Sequence, residues 1–153
     1  MPLSRRNDLV CSLLLIAALF LFVCLTGDTL YIGAWYFLAI PLATLLPGLI
    51  WRTPALFLSG SAIAAITSLL SYMAVMANLK QPEGLLVLGH LFSAPGLLAG
   101  AAFAAWLLRS RVRVTLPWLV AGTGFLAAAL GFLAAQLLVC SSVMYCGALS
   151  WWA

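Results

Sequence analysis

Five apolar runs separated by short polar breaks decide what this chain can become. They cover about 9–26, 30–51, 55–77, 85–108 and 116–139 of the 153 residues. Runs of about 18–24 residues are long enough to cross about 30 Å of hydrocarbon as helices with modest tilt. In lipid the backbone must satisfy its own hydrogen bonds, which a helix does within one segment. The alternative, five buried helices of a soluble protein, fails on composition. The chain is 66% apolar and 7% charged, whereas soluble domains are about 45–50% apolar and about 25% charged. Too little polar surface exists to cover a globule. The expectation is one integral membrane domain over residues 1–153, an all-α bundle of five transmembrane helices with the lipid bilayer as its first partner.

Charge orients the bundle. Threading the runs back and forth places Arg5, Arg6, Arg52, Arg109, Arg111 and Arg113 on one side, and Lys80 alone on the other. Cytoplasmic loops carry the excess of Lys and Arg, so the N-terminus is expected in the cytoplasm and the C-terminus in the periplasm of a bacterial-type inner membrane. The net charge of +4 then belongs to topology, and nucleic acid is not an expected partner. Trp51, Trp106 and Trp118 fall at the expected cytoplasmic ends. Tyr31, Trp35, Tyr36, Tyr72, Tyr145, Trp151 and Trp152 fall near the outer ends, where amphipathic rings favour the interface. The first run reads as a retained helix: it is longer than a signal h-region and no small-x-small cleavage site follows.

Within the spans, proline and glycine mark the mechanical features. Pro41 and Pro47 in the second run and Pro95 in the fourth each remove a backbone donor, and are expected to kink their helices and serve as hinges. Gly96 and Gly100 form a GxxxG, and the fifth run carries Gly122, Gly124 and Gly131. Small residues let helices approach closely where lipid supplies no hydrophobic drive. Such faces pack the bundle, or receive a helix from another membrane protein or a second copy of the chain.

Chemistry-bearing residues are few. Asp8, Asp28 and Glu83 fall in flanks or loops, so no carboxylate is expected inside a span, which counts against proton-coupled transport. His90 is the only ionisable group within a span apart from cysteine. It is a candidate polar contact facing the bundle, set against a plain neutral imidazole bonded to a backbone carbonyl or to Ser93. Cys140 and Cys146 follow the last run on the oxidising side and are a candidate disulfide. Six residues apart on a helix means about 9 Å along its axis, beyond the Cα separation of about 7 Å that a disulfide allows. The bond therefore requires the chain to turn back after Val139. With one histidine and no Cys-x-x-Cys, no metal, cofactor or catalytic set is expected.

These features point away from an enzyme. The first expectation is a non-enzymatic membrane protein acting by intramembrane helix association, as an accessory subunit of a complex or an immunity protein against a membrane-active toxin. The alternative is a small transporter or exporter of a neutral or apolar solute, with His90 as its polar contact and the prolines as hinges. Less favoured is a membrane thiol–disulfide oxidoreductase using Cys140, Cys146 and Cys24.

Overall fold

The computed structural model describes residues 4–28, 30, 32–79, 84–110 and 116–143. Over these it is all-α. Five helices follow one another: α1 Arg5–Thr26, α2 Ala34–Ile50, α3 Phe57–Asn78, α4 Gly84–Ser110 and α5 Pro117–Leu138. A π-helical turn, Val139–Val143, extends α5. Four of the helices are long and apolar enough to cross a membrane, and α2, with 17 residues, is the shorter one.

Two helix starts differ from the sequence expectation, each for a local reason. The second helix begins at Ala34 rather than near Leu30, because Asp28 holds the preceding turn open. Its carboxylate accepts the backbone N–H groups of Leu30 and Gly33, at 3.0 and 2.5 Å. Gly27 and Gly33, with φ of 91° and 101°, supply backbone conformations that side chains resist. The third helix begins at Phe57 rather than Ala55, because Leu56 is left-handed, with φ of 75°.

One end of the bundle is held by two charged side chains from the first turns of α1. Asp8, expected in a solvated flank, is only 2% exposed. Its carboxylate accepts the backbone N–H of Leu58 at 3.1 Å and of Ser59 at 3.0 Å, and the Ser59 hydroxyl at 2.5 Å. No residue of the α3 N-terminus caps it locally, so Asp8 does so from a neighbouring helix, where the positive end of the helix dipole favours an anion. Arg5, one turn earlier, donates to the carbonyls of Gly48 and Leu49 at 3.2 and 2.9 Å. Those carbonyls belong to the last turn of α2, the negative end of its dipole. The two charges thus bind the two ends of one turn. That turn itself is a Schellman closure, with Thr53 N–H on Gly48 and Arg52 N–H on Leu49. Arg52 occupies the left-handed position, with φ of 50°, where glycine is usual.

Glycine sets the packing of the other helices. A methyl group added at Gly100 would collide with the carbonyl of Ala127, and one at Gly96 or Gly131 with the backbone of the facing helix. Helices α4 and α5 therefore run in direct backbone contact. Helix α5 also touches α3, where Gly60 lies against the Ala121 carbonyl and Gly124 against that of Phe57. The apolar core has two parts. One gathers Ile16, Leu45, Phe57, Leu58, Ala105, Leu108 and Val120 at the Asp8 end. The other surrounds Tyr36, Phe37, Leu69, Tyr72, Leu97 and Phe132.

Two mutational outcomes follow. Asp8→Ala leaves buried N–H groups without an acceptor and is expected to lower unfolding stability by about 2–3 kcal/mol, measured by denaturant titration in detergent. Gly100→Ala is expected to cost about 1–3 kcal/mol through overpacking. Gly122→Ala, with open space around the new methyl, is expected to be neutral or to stabilise by up to about 1 kcal/mol; equal losses at both glycines would contradict this packing.

Candidate functional site

The second core region contains the most polar cluster of the bundle interior. His90 is 0% exposed and lies between α2, α3 and α5. Its Nδ1 is 2.8 Å from the Tyr36 hydroxyl and its Nε2 is 3.2 Å from the Ser68 hydroxyl. The pattern of donors assigns the tautomer. Ser68 donates its single proton to the Ala65 carbonyl at 2.8 Å, so it accepts from Nε2–H; Nδ1 then accepts from Tyr36. The chain runs Tyr36 O–H to Nδ1, Nε2–H to Ser68, Ser68 O–H to Ala65, and the neutral imidazole is satisfied at both nitrogens. The Tyr72 ring stands edge-on to the imidazole at 4.8 Å, and the Phe132 ring lies tilted to it at 5.1 Å.

This answers which way His90 faces. It points into the bundle, and its partners are Tyr36 and Ser68 instead of Ser93 or a backbone carbonyl. Tyr36 and Tyr72, expected among interfacial aromatics, are buried core residues. Tyr36 on α2 sets its hydroxyl on His90 of α4, and Tyr72 on α3 packs its ring against His90 and Phe132. Trp35, next to Tyr36, does lie on the outside.

A second polar pair adjoins the first. The Ser93 hydroxyl lies 2.7 Å from both the Gly89 carbonyl and the amide oxygen of Gln136. The Gln136 amide nitrogen is 2.9 Å from Cys140 Sγ. Gln136 did not figure in the sequence reading, yet a lone amide inside an otherwise apolar run was the available signal. Tyr72 remains. Its hydroxyl is buried and has no hydrogen-bond partner. The Gln136 side chain lies beside this hydroxyl, within weak hydrogen-bonding reach, while its amide makes the closer contacts with Ser93 and Cys140.

Beside this wall lies a groove of about 540 Å³ between α3 and α5. The two helices run in the same direction. They touch at Gly60 and Gly124, and the groove lies along them beyond that contact. Ala64, Tyr72, Phe125, Ala129, Phe132 and Gln136 form part of the groove wall. Its rim residues Thr67, Ser71, Leu133, Leu137 and Ser141 are exposed, so the groove opens on the outer surface of the bundle.

The remaining expected site residues are placed as follows. Gly96, Gly100, Gly124 and Gly131 lie against neighbouring helices of the same chain, and Gly122 faces open space. Pro41 and Pro47 are buried within α2, and Pro95 lies exposed within α4. From Val139 to Val143, the last described residue, the chain continues as the π-helical turn, with the Ser141 and Ser142 hydroxyls both on the Leu138 carbonyl. Cys146 lies outside the described residues, and no disulfide joins two described cysteines. Cys11 and Cys24 are free and exposed. Among the described residues no cluster of three or more His, Cys, Asp or Glu side chains is placed to hold a metal. Comparison with protein-family models, curated proteins and solved structures finds no match for the chain.

The imidazole network has a thermodynamic signature. Tyr36→Phe removes the proton donated to Nδ1 and is expected to cost about 1–2 kcal/mol of unfolding stability. In a His90→Leu background the same change is expected to be neutral or stabilising, since the hydroxyl has already lost its partner. Equal effects in both backgrounds would show that the hydrogen bond contributes nothing.

Proposed function

We propose that the protein is a non-enzymatic, multi-pass protein of a bacterial-type inner membrane that acts by binding a neutral, largely apolar solute within the bilayer. In this reading it is a small transporter or exporter. It crosses the membrane five times, with a cytoplasmic N-terminus and a periplasmic C-terminus. The α3–α5 groove is the observation that carries the binding reading: a cavity of about 540 Å³ falls within the size range of small-molecule sites, mostly apolar with a few placed polar groups. Its described lining holds no Lys, Arg, Asp or Glu, so the solute it suits is neutral.

The orientation rests on where the arginines gather. Arg5, the Arg52 turn and Arg109 beside Leu108 all belong to the end of the bundle where Phe57 and Val120 pack, in keeping with one basic, cytoplasmic side. Helix α2, about 25 Å long at about 1.5 Å per residue, crosses with the help of its flanking turns. Pro41, Pro47 and Pro95 supply the hinges in this reading.

A partner helix ranks second. Four of the five expected packing glycines meet neighbours within the chain, so fewer small-residue faces are left for an accessory subunit or an immunity protein. One observation still favours it: Gly122 faces open space, and one turn away on the same side of α5 are exposed Trp118, Leu119 and Leu126.

Cells expressing the protein are expected to retain less of a labelled apolar alcohol than cells expressing Ala129→Trp, which fills the groove. Equal retention removes the transport reading. A membrane protein that co-purifies in fixed stoichiometry and is released by Gly122→Leu would move the function to the partner helix. Reporter fusions check the topology: one after Ala153 is expected to be active as a periplasmic fusion, and one at Arg111 as a cytoplasmic fusion.

A further inference from the structure

We infer that the α3–α5 groove is a specific site for a neutral apolar molecule bearing one hydrogen-bond-accepting oxygen, a long-chain or isoprenoid alcohol or ketone, and that the Tyr72 hydroxyl is the group that recognises this oxygen. The inference deepens the solute-binding reading and rests on it for the location of the site; it adds the chemical class of ligand and the residue that selects it.

A buried hydroxyl without a partner costs roughly 1–3 kcal/mol, so such groups are rare and call for an explanation. Tyr72 is 4% exposed, and its hydroxyl has no partner. The groove's serine hydroxyls differ, and the Thr67 hydroxyl sits on an exposed residue. Ser68 donates to Ala65, Ser71 to Thr67 and Ser141 to Leu138, all backbone carbonyls. Helical serines spend their protons this way and are left as acceptors. His90 is satisfied at both ring nitrogens. Tyr72 therefore holds the one buried proton on the described wall of the groove without a close acceptor, Gln136 being its only side-chain neighbour in weak reach.

Position defines the rest of the ligand. Gln136, Cys140 and Ser141 lie at the Tyr72 end of the groove, while Ala64, Phe125 and Ala129 continue towards the helix crossing. A ligand oxygen at Tyr72 thus leaves its apolar body between α3 and α5. Gln136 lies beside the buried hydroxyl, and in this proposal the ligand oxygen takes its place there. A charged headgroup has no counter-charge on the described wall, and burying one unpaired is costly. A plain hydrocarbon, or the hydrocarbon part of a lipid tail, fills the space but offers Tyr72 no acceptor. The site thus selects for the oxygen.

The test compares two probes of the same skeleton, farnesol and its hydrocarbon counterpart farnesene, by equilibrium binding to the detergent-solubilised full chain. The wild type is expected to bind farnesol roughly three- to tenfold more tightly, the worth of one net hydrogen bond. Tyr72→Phe is expected to erase this preference while leaving farnesene binding unchanged. Ala129→Trp is expected to weaken both probes. Equal affinity of the wild type for the two probes, or no saturable binding of either, overturns the proposal without any variant having to fold. A preference that survives Tyr72→Phe overturns the assignment to Tyr72. Selective binding without an effect on cellular retention leaves the site standing and defeats the transport reading. Retention effects without farnesol selectivity defeat this proposal alone.

Discussion

The approach of α5 to both of its neighbours is the constraint from which the rest of the structure follows. At Gly96, Gly100 and Gly131 it meets α4 backbone to backbone, and at Gly60 and Gly124 it meets α3. Lipid tails are as apolar as leucine, so helices gain from meeting only through dispersion and polar contacts. Glycine maximises the first of these. The consequence for α3 is geometrical: two helices running in the same direction, pinned at one level, must diverge beyond it unless bulk fills the gap. Phe132 and Tyr72 fill part of it. What remains is the groove.

Two charges of the described chain, Arg5 and Asp8, serve the opposite end. Arg5 and Asp8 are committed to the backbone at the two ends of one turn, and each favours the helix terminus it meets. That turn contains two left-handed non-glycine residues, Arg52 and Leu56, a conformation that persists where its surroundings over-determine it. Asp28 is likewise committed to backbone N–H groups at the α1–α2 turn, and the interior near His90 is left to neutral groups. The bundle is thus divided into a tightly packed, charge-capped end and a looser end with hydroxyls, an amide and an imidazole.

Much of the architecture was legible in the sequence because it depends on local pattern. Apolar runs gave the helices, and the GxxxG spacing marked where α4 would be narrow. What escaped depends on which face of a helix turns inward. Gly122 and Gly124 are two residues apart, about 200° around the helix, and only one of them meets a neighbour. Tyr36 and Trp35 are adjacent, and one is buried while the other is exposed. A tyrosine near a span end suits both an interface and a core, and only the tertiary contact with His90 decides. Asp8 was misplaced because its partners lie some 50 residues away, a distance over which periodicity carries no information. Gln136 is different: a single amide in a run of leucine and alanine was visible, and its cost in lipid was reason enough to consider it.

The central claim, that α3 and α5 diverge around a standing groove, can be measured in a bilayer. Spin labels at Ser71 and Leu137, on the two rims, report the separation of the helices in lipid nanodiscs by electron–electron dipolar spectroscopy. The account predicts a separation wider than that of helices in contact, whose axes lie about 8–10 Å apart, and one that persists in the absence of added ligand. Rims closed to helix-contact distance in the bilayer would contradict it.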